Sequence, residues 1–239
     1  MPVPQNAAAK PFVTAILTAA GAGERLGAEL PKALVPVAGK PMFLWAAENL
    51  AAAQVVDQLI VTCPPAHAEL FKDLLKQQRA ESPSWQVVVG GDARQQSVAN
   101  ALAALPAATG IVLVHDAARP FASPDLIKRV VAAVTQGHDA VVPGLPVTDT
   151  IKSVVGAEPE QVTATVERSA LRAIQTPQGF RRAVLERAYR LANRVATDDA
   201  GLVEALGLPV IVILGEASAM KITTPTDLAY AELIAAGSD

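Results

Sequence analysis

The sequence is poor in the side chains that most often announce a chemistry. Its 239 residues contain one cysteine, Cys63, and three histidines. A lone cysteine excludes an intrachain disulfide and any cysteine-based zinc site, and it fits a reducing, cytoplasmic setting. Cys63 itself reads as a small buried hydrophobe at a strand end. Aromatics make up only 4%. Net positive charge is also missing: the formal charge is -3, which gives no electrostatic footprint for nucleic acid or an anionic membrane. No apolar run approaches the roughly 18 residues that span a bilayer. Lys10 followed by Phe12 to Ala20 loosely imitates a signal peptide, but Thr14 and Thr18 interrupt it and it reads as a buried first strand. Any anion site must therefore be a local cluster of cations.

What is present is a large, finely divided apolar content. Hydrophobic residues reach 51% and charged ones 18%, enough for a substantial core. Ala and Val carry most of it, as suits small-residue helices packed on a Val/Ile-rich parallel sheet. Residues 1–11 read as a loose leader, and 12–236 as a single α/β domain. Strands are expected at Phe12–Thr18, Gln58–Thr62, Gln86–Val89, Ile111–His115 and Ala140–Val142. Helices are expected between them, at Pro41–Ala53, Ala66–Arg79 and Ala93–Leu105, and after the Ser123-Pro124 cap. The helix after that cap carries Leu126, Ile127, Val130, Val131 and Val134 at helical spacing. Such alternation predicts right-handed βαβ units in a Rossmann-like, mostly parallel sheet with helices on both faces.

The alternation breaks at about 148–171. In VTATVE, Val162, Ala164 and Val166 alternate with Thr163, Thr165 and Glu167, the period of a half-exposed strand. With TIKSVV before it, this reads as an inserted β-hairpin arm. A lone hairpin is marginal in water and leaves open edges; a second copy of the chain is the simplest cover. Helices follow at about 181–192 and 198–206, a strand at 210–214, another near 219–222, and a closing helix from Pro225, capped by Thr224.

Three strand ends carry the polar residues of interest. The first is AAGAGERLGAELPKALVPVAGKP, residues 19–41. Gly21 and Gly23 let backbone N–H groups turn toward a phosphate, and Arg25 and Lys32 supply two cations. It is not a P-loop, because Leu34 stands where that motif needs glycine and Pro41 where it needs Ser or Thr. A dinucleotide-binding turn must open directly into a helix, which Pro31 and Pro36 prevent. The second is Gly90-Gly91-Asp92-Ala93-Arg94-Gln95-Gln96-Ser97, where Arg94 and Ser97 share a helical face. The plainer reading there is an Asp92 N-cap beside a solvated arginine. The third is Val114-His115-Asp116-Ala117-Ala118-Arg119-Pro120. An acid directly after an apolar strand can hold Mg2+ beside phosphates, and Arg119 can fork onto a phosphate. His115 reads as packed under the sheet edge rather than as a base. A phosphate monoester, already largely a dianion at pH 7, needs none; it needs positioning and positive charge.

Taken in order, AAGAGERLG…PK, GGDARQQSV, LVHDAARP, PVTDTIK, VERSALRAIQTPQGF, TDDAGLVE and MKITTPTDL resemble the 2-C-methyl-D-erythritol 4-phosphate cytidylyltransferases over about 12–235. The resemblance implies a fold of the nucleotide-diphospho-sugar transferase type. It also implies Mg2+-dependent transfer of CMP from CTP to a polyol phosphate, in a homodimer formed through the β-arm. Arg25 and Lys32 match the transition-state cations. Ala19, Ala20, Gly21 and Gly23 match the loop around CTP, and Gly91, Asp92 and Ser97 the stretch that reads its base and ribose. Asp116 and Arg119 match the pair near metal and substrate. Thr150, Arg168, Thr176, Thr197 and Lys221 match positions around the polyol phosphate, with Arg168 reaching a neighbouring subunit's site. The sequence departs from the pattern at Thr18, Ala33, Gly201 and Ser218-Ala219; Gly201 should cost its helix about 1 kcal/mol. A ribitol 5-phosphate cytidylyltransferase, a silent nucleotide-binding module and a redox enzyme are the rival readings.

Overall fold

The computed structural model describes residues 10–21, 30–78, 83–192 and 196–237. Its centre is an eight-stranded sheet. β1 (Phe12–Thr18) runs through the middle, with Val13 to Leu17 buried. β4 (Gln58–Cys63) pairs with it on one side and β6 (Thr109–Asp116) on the other, both parallel. β5 (Ser84–Val89) extends the sheet beyond β4. Beyond β6 lie β11 (Gln178–Arg181), β7 (Ala140–Pro146), β10 (Arg172–Ile174) and β12 (Val210–Leu214). Two further short strands, β2 (Pro36–Val37) and β3 (Lys40–Pro41), form a separate hairpin.

Alternation along the strands sorts their side chains onto two helical layers. Val13, Ala15 and Leu17 of β1 face one way, with Leu59, Val61, Ile111 and Leu113. There they meet Phe43 and Leu50 of α1 (Met42–Ala52), Phe71 and Leu75 of α2 (Ala68–Lys76), and Ile127 and Val130 of α4 (Pro124–Thr135). Ile16, Ile60, Val112 and Val114 face the opposite way. They bury Val98 and Ala101 of α3 (Arg94–Ala103), Leu185 of α5 (Arg182–Leu191), and Leu202 and Val203 of α6 (Asp199–Glu204). Each large side chain so buried stabilises the fold by about 1.5–3 kcal/mol, which is why the central strands read as continuous apolar runs. The closing helix α7 (Pro225–Ala236) packs on a satellite cluster with Val37 and Met42.

Several expectations hold closely. The Ser123 hydroxyl accepts from the Leu126 amide at the start of α4, and Thr224 and Asp227 form a reciprocal capping box on α7. The arm is β8 (Lys152–Val155) paired antiparallel with β9 (Gln161–Thr165), every residue of both exposed. The sheet is mostly parallel, as expected, and the chain returning from the arm lays β10 and β11 antiparallel against β7 and β6. Others need correction. The helix expected from Ala66 begins at Ala68, after a short 3-10 turn at Pro65–His67, and ends at Lys76. The strand expected near 219–222 is instead a 3-10 turn at Ala217–Ala219 and an irregular stretch. That stretch docks on the loop after β6 through one backbone bond, Ile222 N–H to the Ala118 carbonyl at 2.8 Å, not on a sheet edge. Among the described residues, no helix is long and apolar enough to cross a membrane.

The topology also locates a site. β4 and β5 extend the sheet to one side of β1 while β6 lies on the other, so the winding reverses between β1 and β6. A crevice opens at the carboxyl ends of strands where that happens. Thr18 and Asp116 are the last register partners there.

Candidate active site

Three strand ends converge on the crevice. Leaving β1, the chain stays pinned: the Ala19 amide donates to the Thr62 carbonyl of β4 at 3.0 Å. Ala20 then meets the turn after β5. A Cβ added to Gly90 would lie 2.5 Å from the Ala20 Cβ and 2.8 Å from the Ser97 Oγ. Only glycine lets these two loops touch. Ser97 ties its own turn together, accepting from the Gly91 amide at 3.1 Å and reaching the Ala93 carbonyl at 3.1 Å. The far end of the first loop is closed by the Lys32 amide, which donates to the Gly21 carbonyl at 3.2 Å. Gly23 and Arg25, both singled out from the sequence, lie outside the described residues.

These loops border a cleft of about 700 Å³, a volume suited to a nucleotide. Ala19, Ala20, Gly21, Lys32, Gly91, Asp92 and Ser97, all proposed from the sequence for this site, line it. Asp92 is exposed and does not cap α3. The N-cap is Ala93, with no side-chain bond, so no side chain caps the opening of α3, where Ala93 and Arg94 line the cleft. Such a terminus favours an anion.

A second cleft, of about 590 Å³, adjoins the first. Arg119, Thr176 and Thr197 line it, and the two clefts share Arg94, Asp116 and Lys221. Those three form a continuous ionic ridge. Arg94 Nε donates to Asp116 Oδ1 at 3.1 Å, and Lys221 Nζ donates to Asp116 Oδ2 at 2.7 Å. Thr18 Oγ1 adds a bond to Oδ1 at 3.2 Å. Burial works to raise the Asp116 carboxyl, but the charges of Arg94 and then Lys221 override it and hold it well below the usual carboxylate range. Asp116 is therefore an anion between two cations.

Other sequence-derived residues take more particular places. His115 is buried, its Nδ1 2.8 Å from Thr176 Oγ1, and burial lowers its pKa to about 4. It is a neutral packing group, as expected. Thr176 borders the second cleft, yet its hydroxyl also accepts from the Asp116 amide at 3.0 Å and so fixes the end of β6. Arg119 spans the base of that cleft, donating from Nη1 to the Ala219 carbonyl and from Nη2 to the Ile174 carbonyl. Thr150 and Arg168 lie on the exposed arm and line neither cleft; Arg168 donates to the Thr148 carbonyl.

Sequence reasoning undervalued Arg94 and passed over its other partner. Arg94 Nη2 donates to Asp199 Oδ2 at 2.7 Å, so the arginine is wedged between two carboxylates rather than solvated. The available signal was the acid pair Asp198-Asp199 opening a short helix. Asp198 is the N-cap of α6, and Asp199 alone turns inward.

No group of three or more His, Cys, Asp or Glu side chains suited to a metal cage exists among the described residues. A single carboxylate beside a nucleotide-sized cleft still suits Mg2+ chemistry, because Mg2+ is commonly held by one or two carboxylates together with substrate phosphates.

Comparison with known proteins agrees with this geometry. Residues 13–236 match the family model of IspD, 2-C-methyl-D-erythritol 4-phosphate cytidylyltransferase. The protein of that name from Nocardia farcinica is 51% identical over 222 residues, covering 93% of each chain. The one from Frankia casuarinae is 46% identical over 231 residues, covering 97% of this chain and 84% of its own. Among solved structures, the 2-C-methyl-D-erythritol 4-phosphate cytidylyltransferase of Thermus thermophilus superposes with a TM-score of 0.76. It is 38% identical and covers 94% of this chain and 99% of its own. With the family model matched across residues 13–236 and a relative 51% identical over 93% of each chain, this chain belongs to the 2-C-methyl-D-erythritol 4-phosphate cytidylyltransferases.

Proposed function

We propose that the two adjoining clefts divide the family's reaction, with CTP in the first and 2-C-methyl-D-erythritol 4-phosphate in the second. The chain is a nucleotidyltransferase that moves CMP from CTP to that acceptor, in isoprenoid precursor biosynthesis. A phosphate oxygen of the acceptor forms a bond to the α-phosphorus of CTP. The bond from that phosphorus to the α–β bridging oxygen breaks, and pyrophosphate leaves with the electron pair. The observation that carries this reading is the ridge of Arg94, Asp116 and Lys221 common to both clefts, where the two substrates would meet.

Gly91, Asp92 and Ser97 hold the base and ribose, while Ala19 to Gly21 and the opening of α3 face the triphosphate. Lys32, with Arg25, stabilises negative charge as it builds on the transferring group. Arg119, Thr176, Thr197 and Lys221 position the polyol phosphate. No proton need be removed from the nucleophile, so the neutral, buried His115 is consistent with this chemistry. Asp116 would hold Mg2+, which supplies charge neutralisation on the phosphates when bound.

The protein acts as a cytoplasmic homodimer in this reading. The arm exposes Val154, Val155 and Val162, apolar surface that a second copy would cover. That packing brings Thr150 and Arg168 of one copy to the polyol cleft of the other. The test is pyrophosphate release from CTP with each polyol phosphate in turn. Turnover with 2-C-methyl-D-erythritol 4-phosphate supports the reading, and turnover confined to ribitol 5-phosphate overturns it.

A further inference from the structure

Asp199 is fully buried and lines neither cleft. A carboxylate in such a place is costly where an apolar side chain would pack. Both of its oxygens are nevertheless assigned. Oδ2 accepts from Arg94 Nη2 at 2.7 Å, and Oδ1 accepts from the Tyr189 hydroxyl at 2.5 Å. Burial, and next the Asp199 charge, push the Tyr189 phenol far up, so it remains a donor. A chain of bonds thus runs from Tyr189 on α5 through Asp199 and Arg94 to Asp116 and Lys221.

The guanidinium fork explains what the chain does. Arginine prefers to meet a carboxylate with two parallel N–H bonds. Here the fork is split: Nη2 goes to Asp199 and only Nε reaches Asp116 Oδ1. Asp116 Oδ2 stays available, and Lys221 occupies it at 2.7 Å. Without Asp199, Arg94 would close on both Asp116 oxygens and compete with the ammonium. We propose that Asp199, steadied by Tyr189, is a positioning residue that splits the Arg94 fork and thereby sets Lys221 at the boundary between the two clefts. This rests on the role given to Lys221 above.

The experiment is a double-mutant cycle on the full chain, with Asp199→Asn, Lys221→Ala and the pair. It reads kcat and KM in pyrophosphate release, CTP affinity by calorimetry, and melting temperature. Lys221→Ala alone must lower turnover; an unchanged rate overturns both the role of Lys221 and this proposal. Asp199→Asn should lower kcat roughly ten- to a hundredfold, the scale of a misplaced reacting group. CTP affinity should stay within about twofold, since the acid touches no part of the CTP cleft. In the Lys221→Ala background the same substitution should cost almost nothing more, because both changes act through one ammonium. A purely structural acid would instead give multiplying losses in the pair, or losses that track the fraction unfolded. Either result overturns the proposal. If Asp199→Asn does not fold, Tyr189→Phe, which deletes one hydroxyl, completes the same cycle under the same criteria.

Discussion

Lys221 Nζ lies 2.7 Å from Asp116 Oδ2, joining positions 105 residues apart at the line where the two clefts meet. The same carboxylate also takes Arg94, so removing its charge leaves two cations facing each other. Asp116→Asn should therefore lower stability by about 1–3 kcal/mol, the cost of partners left unsatisfied. Urea denaturation measures it. Turnover should fall as well, and a variant with wild-type stability and rate would contradict the ridge.

Lys32 lines the first cleft, with its amide anchored on Gly21, and under the proposed function it serves the triphosphate. A cation needed most at the transition state shows itself in kcat rather than KM. Lys32→Ala should lose roughly a hundredfold in kcat, by comparison with loss of one charge-stabilising donor elsewhere. Calorimetry should show CTP still binding.

Acid should destabilise the protein in two stages. The buried His115 has a pKa of about 4 when folded and near 6.5 when unfolded. Over that interval the unfolded chain binds the extra proton, so the contribution is complete above pH 6.5 and is lost as pH falls toward 4. Its full size is about 3 kcal/mol. Asp116, also lowered in the fold, adds its loss below about pH 4. Denaturation midpoints between pH 7 and pH 4 check this, and His115→Gln should flatten the first stage. Turnover, by contrast, should follow the acceptor's phosphate ionisation near pH 6 in both proteins.

If arms are exchanged between copies, the Arg168 and Lys32 lesions of a mixed dimer fall in the same site and leave the other intact. Mixing Arg168→Ala with Lys32→Ala protein should then recover roughly a quarter of wild-type activity, since half the dimers are mixed and one site in each is intact. Light scattering on Val155→Asp should show a smaller species with weaker turnover. No recovery on mixing would place Arg168 in its own subunit's chemistry.

Much of this was readable in the chain because burial leaves a direct trace. β1, β4 and β6 are buried on both faces and appear as largely apolar runs, while Ser123 and Thr224 announce their helices by capping chemistry. β10 and β11 left no such trace. They are three and four residues long, with Arg172, Gln178 and Arg181 among them, and only their neighbours in the sheet make them strands. The site residues at strand ends were legible because glycine and cations cluster there. Arg94 was not, because its meaning depends on Asp199, 105 positions away, and a lone arginine after Asp92 and Ala93 looks solvated. Nor could the sequence show that the Thr176 hydroxyl serves the end of β6 as well as facing a cleft.

The most direct test of the two-cleft account is pyrophosphate release from CTP, with and without 2-C-methyl-D-erythritol 4-phosphate. Release should require both compounds and yield one cytidylylated acceptor per pyrophosphate. Release that proceeds equally without the acceptor, or none at all with both present, would contradict it.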